Sequence, residues 1–128
     1  MGIKQIQPGL HRVSMPGVNA FILDSGSEGL TLIDTGSVHT AHGIREAVVR
    51  LGREIGDIRH ILVTHCHPDH AGGLATLKSL TPARIYMHRR DAMLVAAGRA
   101  MRRMVPAPGI LNAVLYRVMI CLLYTSPS

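Results

Sequence analysis

Tryptophan is absent from the 128-residue chain and phenylalanine occurs once. Any core must therefore be built from Leu, Ile, Val, Ala and Met, and a 47% apolar composition supplies enough of them. Cysteine is scarce. Cys66 and Cys121 are the two, one inside a histidine cluster and one near the C-terminus, so no disulfide framework is implied and nothing argues for an oxidising compartment. Acidic residues number eight against fourteen Lys and Arg, a net charge of +6. That balance suits an anionic substrate, a nucleic acid or simply a solvated basic face, and it says nothing about fold. The longest apolar run, ILNAVLYRVMICLLY at 110–124, is broken by Asn112 and Arg117 and falls short of the roughly 20 residues of a membrane span. A helix packed on the rest of a domain is the expectation for it. The opening MGIKQIQPGLHRV lacks the apolar h-region of a signal peptide. A cytoplasmic protein with no membrane segment is expected, and the length allows one domain at most.

What is present reads as alternating strands and helices. LHRVSM (10–15) and VNAFILDS (18–25) are short strands around a turn at Pro16-Gly17, and Leu30, Leu32 and Ile33 mark a third strand that ends at Asp34-Thr35-Gly36. Short connections between the three predict an antiparallel meander. Ile44, Val48, Leu51 and Ile55 recur at helical spacing and predict a helix over 38–54. After Gly56-Asp57, IRHILVTH (58–65) reads as a buried strand. Leu74, Leu77 and Leu80 predict a helix stopped by Thr81-Pro82, and ARIYMH (83–88) a further strand, so 58–88 forms a βαβ-like unit. A third helix is expected over 90–104, with Met87, Met93, Met101 and Met104 as core filler.

Between strand and helix lies LVTHCHPDHAGG (62–73), with three histidines and an aspartate in six positions. In an extended segment side chains two apart face the same side, which aims His65 and His67 at one point if the strand runs past Thr64. Pro68 keeps His67 out of helical geometry. Asp69 and His70 fall where the chain turns into the next helix and can face a second point nearby. Ala71-Gly72-Gly73 leaves room for close backbone approach to whatever the cluster holds. Imidazole and carboxylate are the donors of zinc and similar first-row ions. Four such groups at the end of a buried strand are costly without a cation. Split two and two, they supply part of each site of an ion pair.

The string THCHPDH resembles the T-H-x-H-x-D-H signature of the metallo-β-lactamase fold hydrolases, and LTLIDTG upstream looks like that family's strand-to-loop motif ending in Asp. The resemblance implies an α/β (α+β) fold, here the N-terminal half of an αββα sandwich. It also implies a dinuclear site with two zinc ions when complete, or iron or manganese. By position, His65 and His67 would hold one metal, and Asp69 and His70 the other. Asp69 would also orient the attacking water or take its proton, and Asp34 would steady the site from behind. Cys66 falls at a variable position and reads as a small buried side chain. The family completes its site with another His, a bridging Asp and a last His from its second half. After His70 this chain has only His88, at the end of strand 83–88, and one acidic residue, Asp91.

The expectation is thus a partial domain over 1–118, with a non-native tail over 119–128 whose CLLYTSPS resembles translated adapter DNA. Its activity would be metal-dependent hydrolysis of a small-molecule ester, thioester, lactone or amide by metal-bound hydroxide, in the manner of a hydroxyacylglutathione hydrolase. The fragment itself is expected to be weakly active or inactive. Two alternatives stay open. One is a non-catalytic metal-binding fragment. The other is a nuclease-type relative acting on RNA or DNA phosphodiesters, for which Arg84, Arg89, Arg90, Arg99, Arg102 and Arg103 would be the basic surface. Oligomeric state is not legible.

Overall fold

The computed structural model describes residues 2–97 and 109–111, together with 114, 115 and 118. Cys121, Arg99, Arg102, Arg103, Met101, Met104, the end of the helix expected over 90–104 and the tail 119–128 lie outside the described residues.

Six strands form one mixed sheet in chain order: β1 (Gly2–Gln7), β2 (Leu10–Met15), β3 (Val18–Asp24), β4 (Leu30–Ile33), β5 (Ile58–Leu62) and β6 (Arg84–Tyr86). The first four pair antiparallel, as the short turns require, and β4, β5 and β6 pair parallel. Parallel neighbours need a crossover. Helix α1 (Ala41–Arg50) supplies the first, and the short α2 (Pro68–Ala71) with α3 (Leu74–Leu80) supplies the second. Helix α4 (Arg89–Ala96) follows β6. This is the α/β arrangement expected, and the βαβ-like unit over 58–88 is present.

Both crossover helices lie on one face of the sheet. Ile44, Ala47 and Val48 of α1 and Leu74 and Leu77 of α3 share a buried core with Val13, Ile22, Leu30, Leu32, Ile58 and Ile61. Strand side chains alternate, so the opposite face carries the in-register row Phe21, Ile33, Leu62 and Tyr86. There Leu23, Leu62 and Tyr86 are exposed. Among the described residues, no helix is long and apolar enough to cross a membrane.

Several boundaries differ from those expected. Strand β1 was not anticipated, because GIKQIQ is a mostly exposed edge strand without apolar alternation. Helix α1 starts at Ala41, not 38, because Ser37 to Thr40 close a turn in which the Thr40 amide and hydroxyl both donate to the Ser37 carbonyl. It ends at Arg50, not 54, where Gly52 at φ 72 takes the left-handed conformation that stops helices. Leu51 and Ile55 still pack against the core from beyond its end. Strand β5 ends at Leu62, three residues short of His65. Met93 is 69% exposed and fills no core, because it faces away from the sheet while Met87 and Val95 pack against it.

Candidate metal centre

Strands β4 and β5 are adjacent and parallel, and Ile33 pairs with Leu62 at their last rung. Their two continuations, Asp34 to Gly36 and Val63 to His67, therefore leave the same edge side by side. The Asp34 amide donates to the Leu62 carbonyl at 2.8 Å, extending the contact by one residue. The chain then turns: Asp34 sits at φ 61, a conformation uncommon for any residue but glycine. The turn brings its buried carboxylate back over β5. Oδ1 accepts from the Thr64 amide and Oδ2 from the Thr64 hydroxyl, both at 2.7 Å. Oδ2 also lies 2.8 Å from Nδ1 of His70.

The backbone of His70 is gripped by the next residue along. The Thr35 amide and hydroxyl donate to the His70 carbonyl at 2.7 and 2.8 Å. The Gly73 amide donates to the Gly36 carbonyl at 3.1 Å. A side chain at Gly72 would overlap the Pro68 carbonyl and the Val38 amide. The glycines expected to make room for a ligand therefore make room for the 34–38 loop. That close packing is what delivers Asp34 and Thr35 to His70.

His67 has φ −62 and ψ 145, the extended geometry a following proline favours, and it caps α2 with Pro68 in the first turn. The turn then presents Asp69 and His70 together, with Asp69 Oδ2 at 3.4 Å from His70 Nε2. The His65 ring stands 4.0 Å from the His70 ring, centroid to centroid, and 4.7 Å from the His67 ring, which it meets edge-on. One ligating atom from each of His65, Asp69 and His70 lies within 4.8 Å of the others, the one such group among the described residues. His67 is outside it. Strand β5 ends at Leu62, so the adjacency of His65 and His67 comes from the loop after the strand and not from strand alternation. Cys66 is buried, at 1% exposure, and not in the group. Nor is His88, whose Nδ1 accepts the Arg90 amide to cap α4.

The donor chemistry fits a first-row divalent ion. His70 turns Nδ1 to a carboxylate, the second partner that metal-binding imidazoles usually have, and Nε2 is left toward Asp69. Burial, then the neighbouring His70 and His67, push the His65 pKa below its ordinary value, against the opposing pull of Asp34 and Asp69. A ring held neutral is one ready to ligate. Nothing in the residue types of Thr35 and Thr64 marks them as supports. The available signal was their place beside a ligand or carboxylate at a strand end.

Comparison with known proteins places the chain beside one family. The family model described as the metallo-beta-lactamase superfamily matches residues 15–118. An atrochrysone carboxyl ACP thioesterase of Cryptosporiopsis is 31% identical over 130 residues, covering 84% of this chain and 38% of that protein. A hydroxyacylglutathione hydrolase of Albidiferax ferrireducens is 42% identical over 53 residues, covering 41% of this chain and 20% of that protein. Among solved structures, a HARLDQ-motif mutant metallo-beta-lactamase from Cronobacter sakazakii superposes with a TM-score of 0.72 at 34% identity, over 77% of this chain and 39% of that one. The chain spans less than two-fifths of the length of each of these relatives.

Proposed function

The chain belongs to the metallo-beta-lactamase superfamily, and we propose that it carries part of the metal centre of a hydrolase acting on small thioesters, esters or lactones. One observation carries this reading: His65, Asp69 and His70 converge within 4.8 Å at the end of β5, while Asp34 holds His70 from behind. Two imidazoles and a carboxylate are a zinc donor set, and iron or manganese would find the same donors usable. His67, edge-on to His65, is the fourth proposed ligand. A complete site would hold two ions, and its remaining ligands would come from the part of the relatives' length that this chain does not span. A cation bound here would supply Lewis-acid polarisation and would make a nearby water easier to deprotonate near neutral pH.

The chain's own residues do the rest. His65, His67, Asp69 and His70 bind, and Asp34 and Thr35 fix His70 by its ring and its carbonyl. Asp69, at 38% side-chain exposure against 22% for His70, is the more open of the two to solvent. It is the group that orients water toward a substrate carbonyl and receives its proton. Thioester cleavage is the preferred reaction class because a hydroxyacylglutathione hydrolase and an ACP thioesterase are among the relatives. β-Lactam hydrolysis competes with it, favoured by the structural neighbour.

The deciding experiment is a substrate panel run with zinc on the protein read through its full frame. A hydroxyacylglutathione thioester should be hydrolysed, and Asp69→Ala should abolish that turnover. Activity confined to β-lactams, or to RNA with salt-sensitive binding through Arg89 and Arg90, would replace the thioester reading.

A further inference from the structure

We infer that Thr64 is a positioning residue that fixes the tautomer of His65 and extends the hold of Asp34 to that ring. Thr64 Oγ1 stands 2.7 Å from Asp34 Oδ2 and 2.9 Å from His65 Nδ1. An ionised carboxylate only accepts, while a hydroxyl has one proton to give and lone pairs to receive. The Thr64 hydroxyl therefore donates to Asp34 and can only accept from His65. His65 Nδ1 must then carry the hydrogen, and Nε2 keeps its lone pair.

His70 reaches the same state directly, through Nδ1 on the same Asp34 oxygen. One carboxylate thus prepares both rings of the group, one by contact and one through Thr64. The Thr64 amide is separately held by Asp34 Oδ1 at 2.7 Å. Removing the hydroxyl alone therefore leaves the backbone anchored.

The purpose of this device rests on the metal reading above, but the tautomer does not, so the two can fail separately. The test is a long-range proton–nitrogen correlation spectrum of the histidine rings. It is recorded on the full, metal-free chain at a pH well above the ordinary histidine range. His65 should be Nδ1-protonated in the parent and in Thr64→Ser, and should shift toward the Nε2-protonated form in Thr64→Val. In competition with a chromophoric chelator, Thr64→Val should bind zinc about tenfold more weakly, the range seen for outer partners of metal-bound histidines, while Thr64→Ser stays near the parent. An Nε2-protonated His65 in the parent would overturn the inference, whether or not Thr64→Val folds. So would a Thr64→Val chain with unchanged ring signals and zinc affinity. A chain whose rings behave as stated but which binds no zinc would retain the tautomer assignment and reject the metal reading.

Discussion

Asp34 carries more structure than any other polar residue of the site. It holds a left-handed backbone conformation that costs of order 1–3 kcal/mol elsewhere, and three hydrogen-bond contacts of its carboxylate offset that cost. Asp34→Asn keeps the shape but exchanges one acceptor oxygen for a donor. It should lower the stability of the metal-free chain by about 2 kcal/mol in urea titration and weaken zinc binding by about tenfold or more. A variant matching the parent in both would show that Asp34 does not support the site. His65 gives a pH prediction. Its pKa is lowered in the folded chain, chiefly by burial, whereas in the unfolded chain it is about 6.5. As pH falls through that value the unfolded chain takes up the proton first. Stability is therefore lost between about 6.5 and the lower folded value, then levels off. Urea midpoints of the metal-free parent should slope downward across this window more steeply than those of His65→Asn.

At the scale of elements, the site depends on the 34–38 loop lying against the 68–73 turn. Gly72→Ala puts a methyl group into the Pro68 carbonyl and the Val38 amide. It should destabilise the chain by roughly 1–3 kcal/mol and pull His70 away from Asp34, lowering zinc affinity although no ligand has changed. Unaltered stability would mean that the two segments part readily. Ile44→Ala, in contrast, removes fully buried core from α1. It should cost about 2–5 kcal/mol and alter zinc affinity only where the fold is lost. Much of this organisation is legible in the sequence, because Leu30 and Leu32, Ile44 and Val48, and Leu74 and Leu77 each keep the period of their element and meet in one core. Strand β1 is not, since an exposed edge strand needs no apolar period. The Pro8-Gly9 turn, with Gly9 at φ 78, was the signal available for its hairpin. The hold of Asp34 and Thr35 on His70 is not legible either. It depends on a loop some 30 residues earlier in the chain, placed by tertiary contacts.

At the scale of the whole molecule, the helices cover one sheet face and, among the described residues, leave the row through Ile33, Leu62 and Tyr86 without a covering layer. Apolar sheet surface of this kind associates. The isolated chain should sediment as concentration-dependent oligomers, and Leu23→Thr with Leu62→Thr should shift it toward monomer. A monomeric parent at high concentration would show that the face is protected by other means. At one end of the same half-covered sheet lies the His65, Asp69 and His70 group, whose proposed zinc binding can be measured without turnover. The most direct test of the central claim is calorimetric titration of zinc into the purified, chelator-stripped chain and into its His65→Ala/His70→Ala variant. Saturable binding by the parent that disappears in the variant is the result predicted. No saturable binding, or binding unchanged by the loss of both histidines, would contradict it.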